Sequence, residues 1–182
     1  SGLGASLAYM DSDASSASGA ASGGLAIGAP GDNSNGGAIY VVPGVDLEAW
    51  GDTNDAELIV KGSTGQGYYI GRNVVADLDL DGDGSDDLLW EYASSTNSNQ
   101  AKSNIGLLYG GITGTIGISS VDARWSTQTK TEHPVYDSLS QAGDLNNDGY
   151  SDWSFADPLG DTVKQNGGSV YVLWGQGSEY SG

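Results

Sequence analysis

Two stretches of the chain obey one pattern, D-x-[DN]-x-D-G-x-x-D, and they begin 65 residues apart. The first is Asp79-Leu80-Asp81-Gly82-Asp83-Gly84-Ser85-Asp86-Asp87, and the second is Asp144-Leu145-Asn146-Asn147-Asp148-Gly149-Tyr150-Ser151-Asp152. Each is followed by an apolar run and, further on, by a second run that ends in glycine: NIGLLYGG (104–111) and GGSVYVLWG (167–175). An earlier segment carries the same runs, LAIGAP (25–30) and GGAIYVVPG (36–44). Leu25 to Leu88 is 63 residues, and Leu88 to Trp153 is 65. A period in the mid-sixties is longer than that of helical hairpin repeats and fits a small antiparallel sheet repeated along the chain.

Local patterning agrees with repeated sheets. Short runs rich in Val, Ile, Tyr, Leu and Trp are bounded by clusters of Gly, Asp, Asn and Ser, which is strand-and-turn punctuation. Four strands are expected in the first repeat (near 5–10, 24–28, 37–42 and 57–61) and four in the second (near 68–76, 87–92, 104–109 and 122–126). The third offers three, near 138–142, 152–156 and 168–174. Segments 43–56, 93–103 and 157–168 read as surface loops. No stretch reads as an amphipathic helix of ten residues. The chain is therefore expected to be one all-β domain over 1–182, with repeats at roughly 1–63, 64–128 and 129–182.

The Asp loops carry the chemistry. Calcium takes six to eight oxygen ligands in flexible geometry, and oxygen-bearing residues at positions 1, 3 and 5 of a tight loop can converge on one ion. Gly at position 6 allows the sharp turn, because it accepts positive φ without strain. The expected ligands are Asp79, Asp81, Asp83, the Ser85 carbonyl and Asp87 in one loop, and Asp144, Asn146, Asp148, the Tyr150 carbonyl and Asp152 in the other. Two carboxylates about 5 Å apart repel by roughly 3 kcal/mol at an effective dielectric near 20. With six Asp in residues 77–87, the loop needs a cation or shifted pKa values. Magnesium suits it less, since that ion insists on octahedral geometry and holds its waters. An EF-hand is excluded, because position 12 is Trp90 or Phe155, each inside a strand pattern. Asp77 and Asp86 are expected to be surface charge. In the first repeat the loop begins Asp11-Ser12-Asp13 and lacks the later carboxylates, so weak calcium binding or none is expected there.

Composition removes other chemistries. The formal charge of −18 disfavours nucleic acid and anionic membrane as partners. No uninterrupted apolar window is long enough for a membrane-spanning helix. With no cysteine and a single histidine, His133, thiolate sites and His-ligated zinc are ruled out by count, and His133 is read as a surface residue. Trp90, Trp153 and Trp174 fall in strand patterns and are expected to pack between sheets. Trp50, in a Gly/Asp loop, is a candidate exposed contact, and Trp125 is left open between the two roles.

The sequence resembles the FG-GAP repeats of integrin α-subunit-like β-propellers. The resemblance is carried by LAIGAP (25–30), the two Asp loops, and the strands Gly36–Val41 and Gly167–Val172, with Ile70-Gly71 standing where the family has Phe-Gly. It covers nearly the whole chain. It implies four-stranded blades, each with calcium in the hairpin between its first two strands, and hence a partial propeller of about three blades. In the second repeat the Gly-Ala-Pro is replaced by Glu91-Tyr92-Ala93. Propellers close with roughly 4–8 blades, so the expectation is either a piece of a longer chain or a ring completed by another subunit. The function implied is a calcium-binding (Ca2+, two sites), secreted or cell-surface module for adhesion or protein–protein interaction, without catalysis of its own. Two further readings follow from the same features: an ancillary domain of a secreted hydrolase, or a subunit of an extracellular filament joined through open blade edges.

Overall fold

A computed structural model describes residues 2–11, 23–44, 51–93, 103–126, 138–157, 167–178 and 180. It is all-β, with three sheets. The first contains β1 (Ser6–Met10), β2 (Gly24–Ala29), β3 (Ala38–Pro43) and β4 (Leu58–Lys61), paired antiparallel in chain order. The second contains β5 (Val74–Val75), β6 (Leu88–Ala93), β7 (Ser103–Leu108) and β9 (Ala123–Ser126), again antiparallel in chain order. The third is a three-stranded meander of β10 (Ser140–Gly143), β11 (Asp152–Asp157) and β12 (Ser169–Leu173). Each sheet follows one of the three repeats, and none is closed.

Two departures from the expected strands have physical causes. The segment 68–76 was expected to be one strand, but only Val74–Val75 is extended and paired into the second sheet. Tyr69 (φ 52°) and Gly71 (φ 86°) turn the chain, and Ile70 instead makes a parallel bridge to Gly37 of the first repeat. A twelfth strand, β8 (Gly114–Gly117), was not foreseen. It leaves the second repeat and pairs in parallel with β4, Leu58 opposite Gly114, which adds a fifth strand to the first sheet. Its glycines and threonine read as turn, but Ile112, Ile116 and Ile118 pack into the core beneath it.

The sheets are stacked with the second in the middle. Leu88, Trp90 and Tyr92 of β6 join Ile39, Val41, Leu58 and Val60 of the first sheet in one apolar cluster. Leu89 of β6, with Ile105 and Leu107 of β7, packs on the other side against Trp153 of the third sheet. A strand buried on both faces needs a continuous apolar run, not an alternating one, which is why residues 88–93 read LLWEYA and are all buried. Strand β1 of the first sheet has a single covered face, and its outward Leu7 and Tyr9 are exposed. Trp90 and Trp153 are fully buried between sheets, as expected. Trp174 is not: it is 49% exposed, whereas its neighbour Leu173 packs against the cluster around Trp153.

The first strands of all three sheets turn toward one another. Ala8 and Tyr9 of β1, Val74 and Val75 of β5, and Ser140 and Gln141 of β10 line a common cleft of about 340 Å³.

Candidate metal centres

Both Asp loops join the first two strands of their sheets, β5 to β6 and β10 to β11. They share most of their hydrogen bonds, position for position. In the first, both carboxylate oxygens of Asp79 accept backbone N–H groups, from Gly82 (2.7 Å) and Gly84 (3.1 Å). In the second, Asp144 accepts from Asp148 (3.0 Å) and Gly149 (2.9 Å). Asp81 accepts from the Asp83 N–H at 3.2 Å, and Asn146 from the Asp148 N–H at 3.1 Å. Asp83 accepts from the Ser85 N–H at 2.7 Å, and Asp148 from the Tyr150 N–H at 3.0 Å. These short side-chain-to-backbone bonds are the local alternative to ladder pairing that Asp and Asn offer. They fix the fold of each loop.

The last carboxylate of each loop ties it to the rest of its sheet. Asp87 accepts from the Leu80 N–H (2.7 Å) and, across the sheet, from the Gly110 N–H at the end of β7 (3.0 Å). Asp152 accepts from the Leu145 N–H (2.7 Å) and from the Gly175 N–H beyond β12 (2.9 Å). Asp87 and Asp152 are completely buried. The glycines are required by space: a Cβ on Gly110 would lie 2.9 Å from the Asp86 carbonyl, and one on Gly175 would lie 2.5 Å from the Ser151 carbonyl. The sequence places Gly110 and Gly175 in matching positions, yet only the structure assigns them this work. The signal was the glycine that closes the third strand of both repeats.

The first loop brings Asp79, Asp81 and Asp87 together, with one oxygen of each within 4.8 Å of the others. Three carboxylates at this spacing can hold a cation. Burial pushes the Asp87 carboxyl up to about 7; the charges of Asp81 and Asp79 push the same way, and the Leu80 and Gly110 N–H groups push against them. Asp83 lies outside this trio and is exposed, and Ser85 is half-buried. In the second loop the equivalent positions are Asp144, Asn146 and Asp152, so an amide stands where Asp81 stands. The Asn146 amide donates to Asp148 at 2.8 Å. Asp144, Asn146 and Asp148 are exposed, and Tyr150 is half-buried.

The two loops touch. The Tyr150 ring lies on Gly82, where an added Cβ would be 2.5 Å from its Cε1. The Ser151 N–H donates to the Asp79 carbonyl (3.3 Å), and the Gln176 N–H donates to the Leu80 carbonyl (3.1 Å). The backbone of the second loop therefore buttresses the first.

Other expected positions divide. Asp77 is exposed; partial desolvation, then the charges of Asp86 and Asp11, raise its carboxyl above the usual range. Asp86 is buried, not the surface charge expected of it. Trp125 is half-buried and meets Trp153 edge-on at 5.1 Å. Asp13, Trp50 and His133 lie outside the described residues, as does most of the first-repeat loop. Ile70-Gly71 lies against LAIGAP: a Cβ on Gly71 would sit 2.8 Å from the Ala29 nitrogen and 2.9 Å from the Gly28 Cα. No helix among the described residues is long and apolar enough to cross a membrane. No protein-family model matches the chain, and neither does any curated protein.

Proposed function

We propose that the chain is a calcium-binding extracellular module of the FG-GAP β-propeller type, used for adhesion or protein–protein interaction and without catalysis of its own. The observation that carries this reading is the convergence of Asp79, Asp81 and Asp87 within 4.8 Å, in a loop whose hydrogen-bond frame recurs 65 residues later. Proximal carboxylates of this kind are unfavourable without a counter-ion. Calcium fits better than magnesium, because each loop offers five candidate oxygen donors, whereas magnesium keeps several waters and usually takes only one or two carboxylates. The first site would use Asp79, Asp81, Asp83, the Ser85 carbonyl and Asp87. The second would use Asp144, Asn146, Asp148, the Tyr150 carbonyl and Asp152. The propeller arrangement is supported by three sheets in chain order, stacked through Trp90 and Trp153, whose first strands share one cleft. Contact of Ile70-Gly71 with Gly28 and Ala29 supports the FG-GAP assignment.

At a free concentration one hundred times its dissociation constant, an ion that binds only the folded chain stabilises it by about 2.7 kcal/mol. For a domain of this size that is a rise in Tm of roughly 5 °C or more per site. Thermal unfolding in millimolar calcium, millimolar magnesium and excess chelator tests the reading. It expects the highest Tm in calcium, and equal Tm values in calcium and chelator would refute it.

A further inference from the structure

In both later repeats the chain that leaves the third strand returns to the preceding sheet, but the two returns are fastened differently. After β7 it runs through β8, which pairs with β4, and the Gly114 N–H donates to the Glu57 carbonyl at 2.7 Å. Ile112, Ile116 and Ile118 hold this return to the core. None of these anchors belongs to an Asp loop. After β12 the anchors are the Asp loops themselves. The Gly175 N–H goes to Asp152 of the second loop (2.9 Å), and the Gln176 N–H goes to the Leu80 carbonyl of the first (3.1 Å). Gly177 has no room for a Cβ, because the Tyr150 ring of the second loop lies against it, and that same ring rests on Gly82 of the first. Tyr180 completes the return. Its N–H donates to the Tyr109 hydroxyl, and its ring meets Trp125 edge-on at 5.4 Å in the cluster around Trp153. We propose that Gly175, Gln176, Gly177 and Tyr180 form a calcium-operated latch, which fastens the third sheet to the second only while the Asp loops hold their ions.

The dependence on the ion follows from what the anchors are. Leu80 sits between Asp79 and Asp81, two of the three carboxylates that converge within 4.8 Å, and its own N–H donates to the third, Asp87. Without a cation those charges repel one another, and the backbone between them carries the Leu80 carbonyl with it. Tyr109 directly precedes Gly110, whose N–H also donates to Asp87. A divalent ion that neutralises the three carboxylates therefore steadies the acceptors of both Gln176 and Tyr180. At the second loop Asp152 is at once an expected ligand and the acceptor for Gly175. Linkage makes the effect reciprocal: a latch that calcium closes tightens calcium binding by the same factor when it closes. Strand β8 supplies the contrast, since peeling it from β4 breaks none of the bonds to either loop. Calcium thus sets whether the second and third sheets move as one body, while the first and second stay joined in its absence.

The inference rests on the calcium-binding reading and gives the bound ion a mechanical role. Local openings of this kind are seen by amide hydrogen exchange. The test is residue-resolved exchange by NMR on the full chain, in millimolar calcium and in excess chelator, with calorimetric titration of the same preparations. Calcium is expected to slow exchange of the Gln176 and Tyr180 amides at least tenfold, and to change that of Gly114 less than about twofold. Tyr180→Ala should remove most of the slowing at Gln176 while two calcium ions still bind. Tyr180→Phe, which keeps the ring, should retain it. The Gly114 amide serves in each variant as an internal check that the rest of the chain is folded. Equal slowing at Gly114, Gln176 and Tyr180 would overturn the latch, because it would report general stabilisation alone. Bound calcium with unchanged exchange at Gln176 and Tyr180 would also overturn it, and would leave the metal reading intact. No calcium binding by a folded chain would sink both.

Discussion

The Asp87 carboxylate accepts the backbone N–H of Gly110 at 3.0 Å, and Asp152 accepts that of Gly175 at 2.9 Å, one repeat later. The bond ties the last position of each Asp loop to the end of the third strand of its own sheet. The loop is thus held at two places, by its hairpin strands and by a strand 23 residues further on.

That bond requires close approach, so the glycines should be intolerant of side chains. Gly110→Ala and Gly175→Ala are each expected to cost about 1–3 kcal/mol, the usual range for forcing atoms into a filled space. Gly84→Ala is a useful contrast. A Cβ there meets nothing within 4 Å, but φ is +85°, so only the backbone penalty of about 1–2 kcal/mol applies. Denaturant unfolding in chelator would rank the three. No measurable loss at Gly110 or Gly175 would contradict the packing argument.

Asp83 and Asp148 sit at the exposed lip of their loops, where they cap backbone N–H groups of Ser85 and Tyr150. Asp83→Ala and Asp148→Ala should each lower Tm in calcium by roughly 5 °C, through loss of most of one site, and change it little in excess chelator. Equal losses in both conditions would mean that the residues support the turn and bind nothing.

Proton and cation should compete at Asp87. Its folded pKa is raised to about 7, whereas an unfolded aspartate titrates near 3.9. Between those values the folded chain holds the proton more tightly, so in chelator this group's contribution to stability is full below about pH 4 and lost as pH rises through about 7. Asp87→Asn should flatten the fall across that window. Denaturation midpoints at successive pH values would show it, and an unchanged slope in the variant would exclude Asp87 as its source.

Contact between the loops predicts coupled sites. The Tyr150 ring rests on Gly82, and the Ser151 N–H holds the Asp79 carbonyl. Ordering the second loop should therefore help to order the first. Tyr150→Ala is expected to weaken binding at the first site about fivefold, as well as at its own. Calorimetric titration on the Asp152→Asn background isolates the first site, and an unchanged affinity there would remove the coupling.

The sheets were legible because their strands are punctuated by Gly, Asp and Asn, and because apolar runs such as LLWEYA and AIYVV survive in recognisable form from repeat to repeat. The loops were legible as a pattern of Asp and Gly. What stayed hidden depends on distant partners. Residues 68–73 have strand-forming side chains, but Ile70-Gly71 is recruited to the first repeat by Gly28 and Gly37, whose missing side chains leave room for it. Strand β8 has weak local propensity and is fixed by its parallel neighbour β4. Trp174 has the pattern of a packed residue, yet it is its neighbour Leu173 that packs against the cluster around Trp153.

Calcium stoichiometry measured by isothermal titration calorimetry on the intact chain tests the central claim most directly. The account predicts two sites, one remaining in Asp87→Asn or Asp152→Asn, and none when both are changed. Absence of binding at millimolar calcium in a folded chain, or two sites persisting in the double variant, would contradict it.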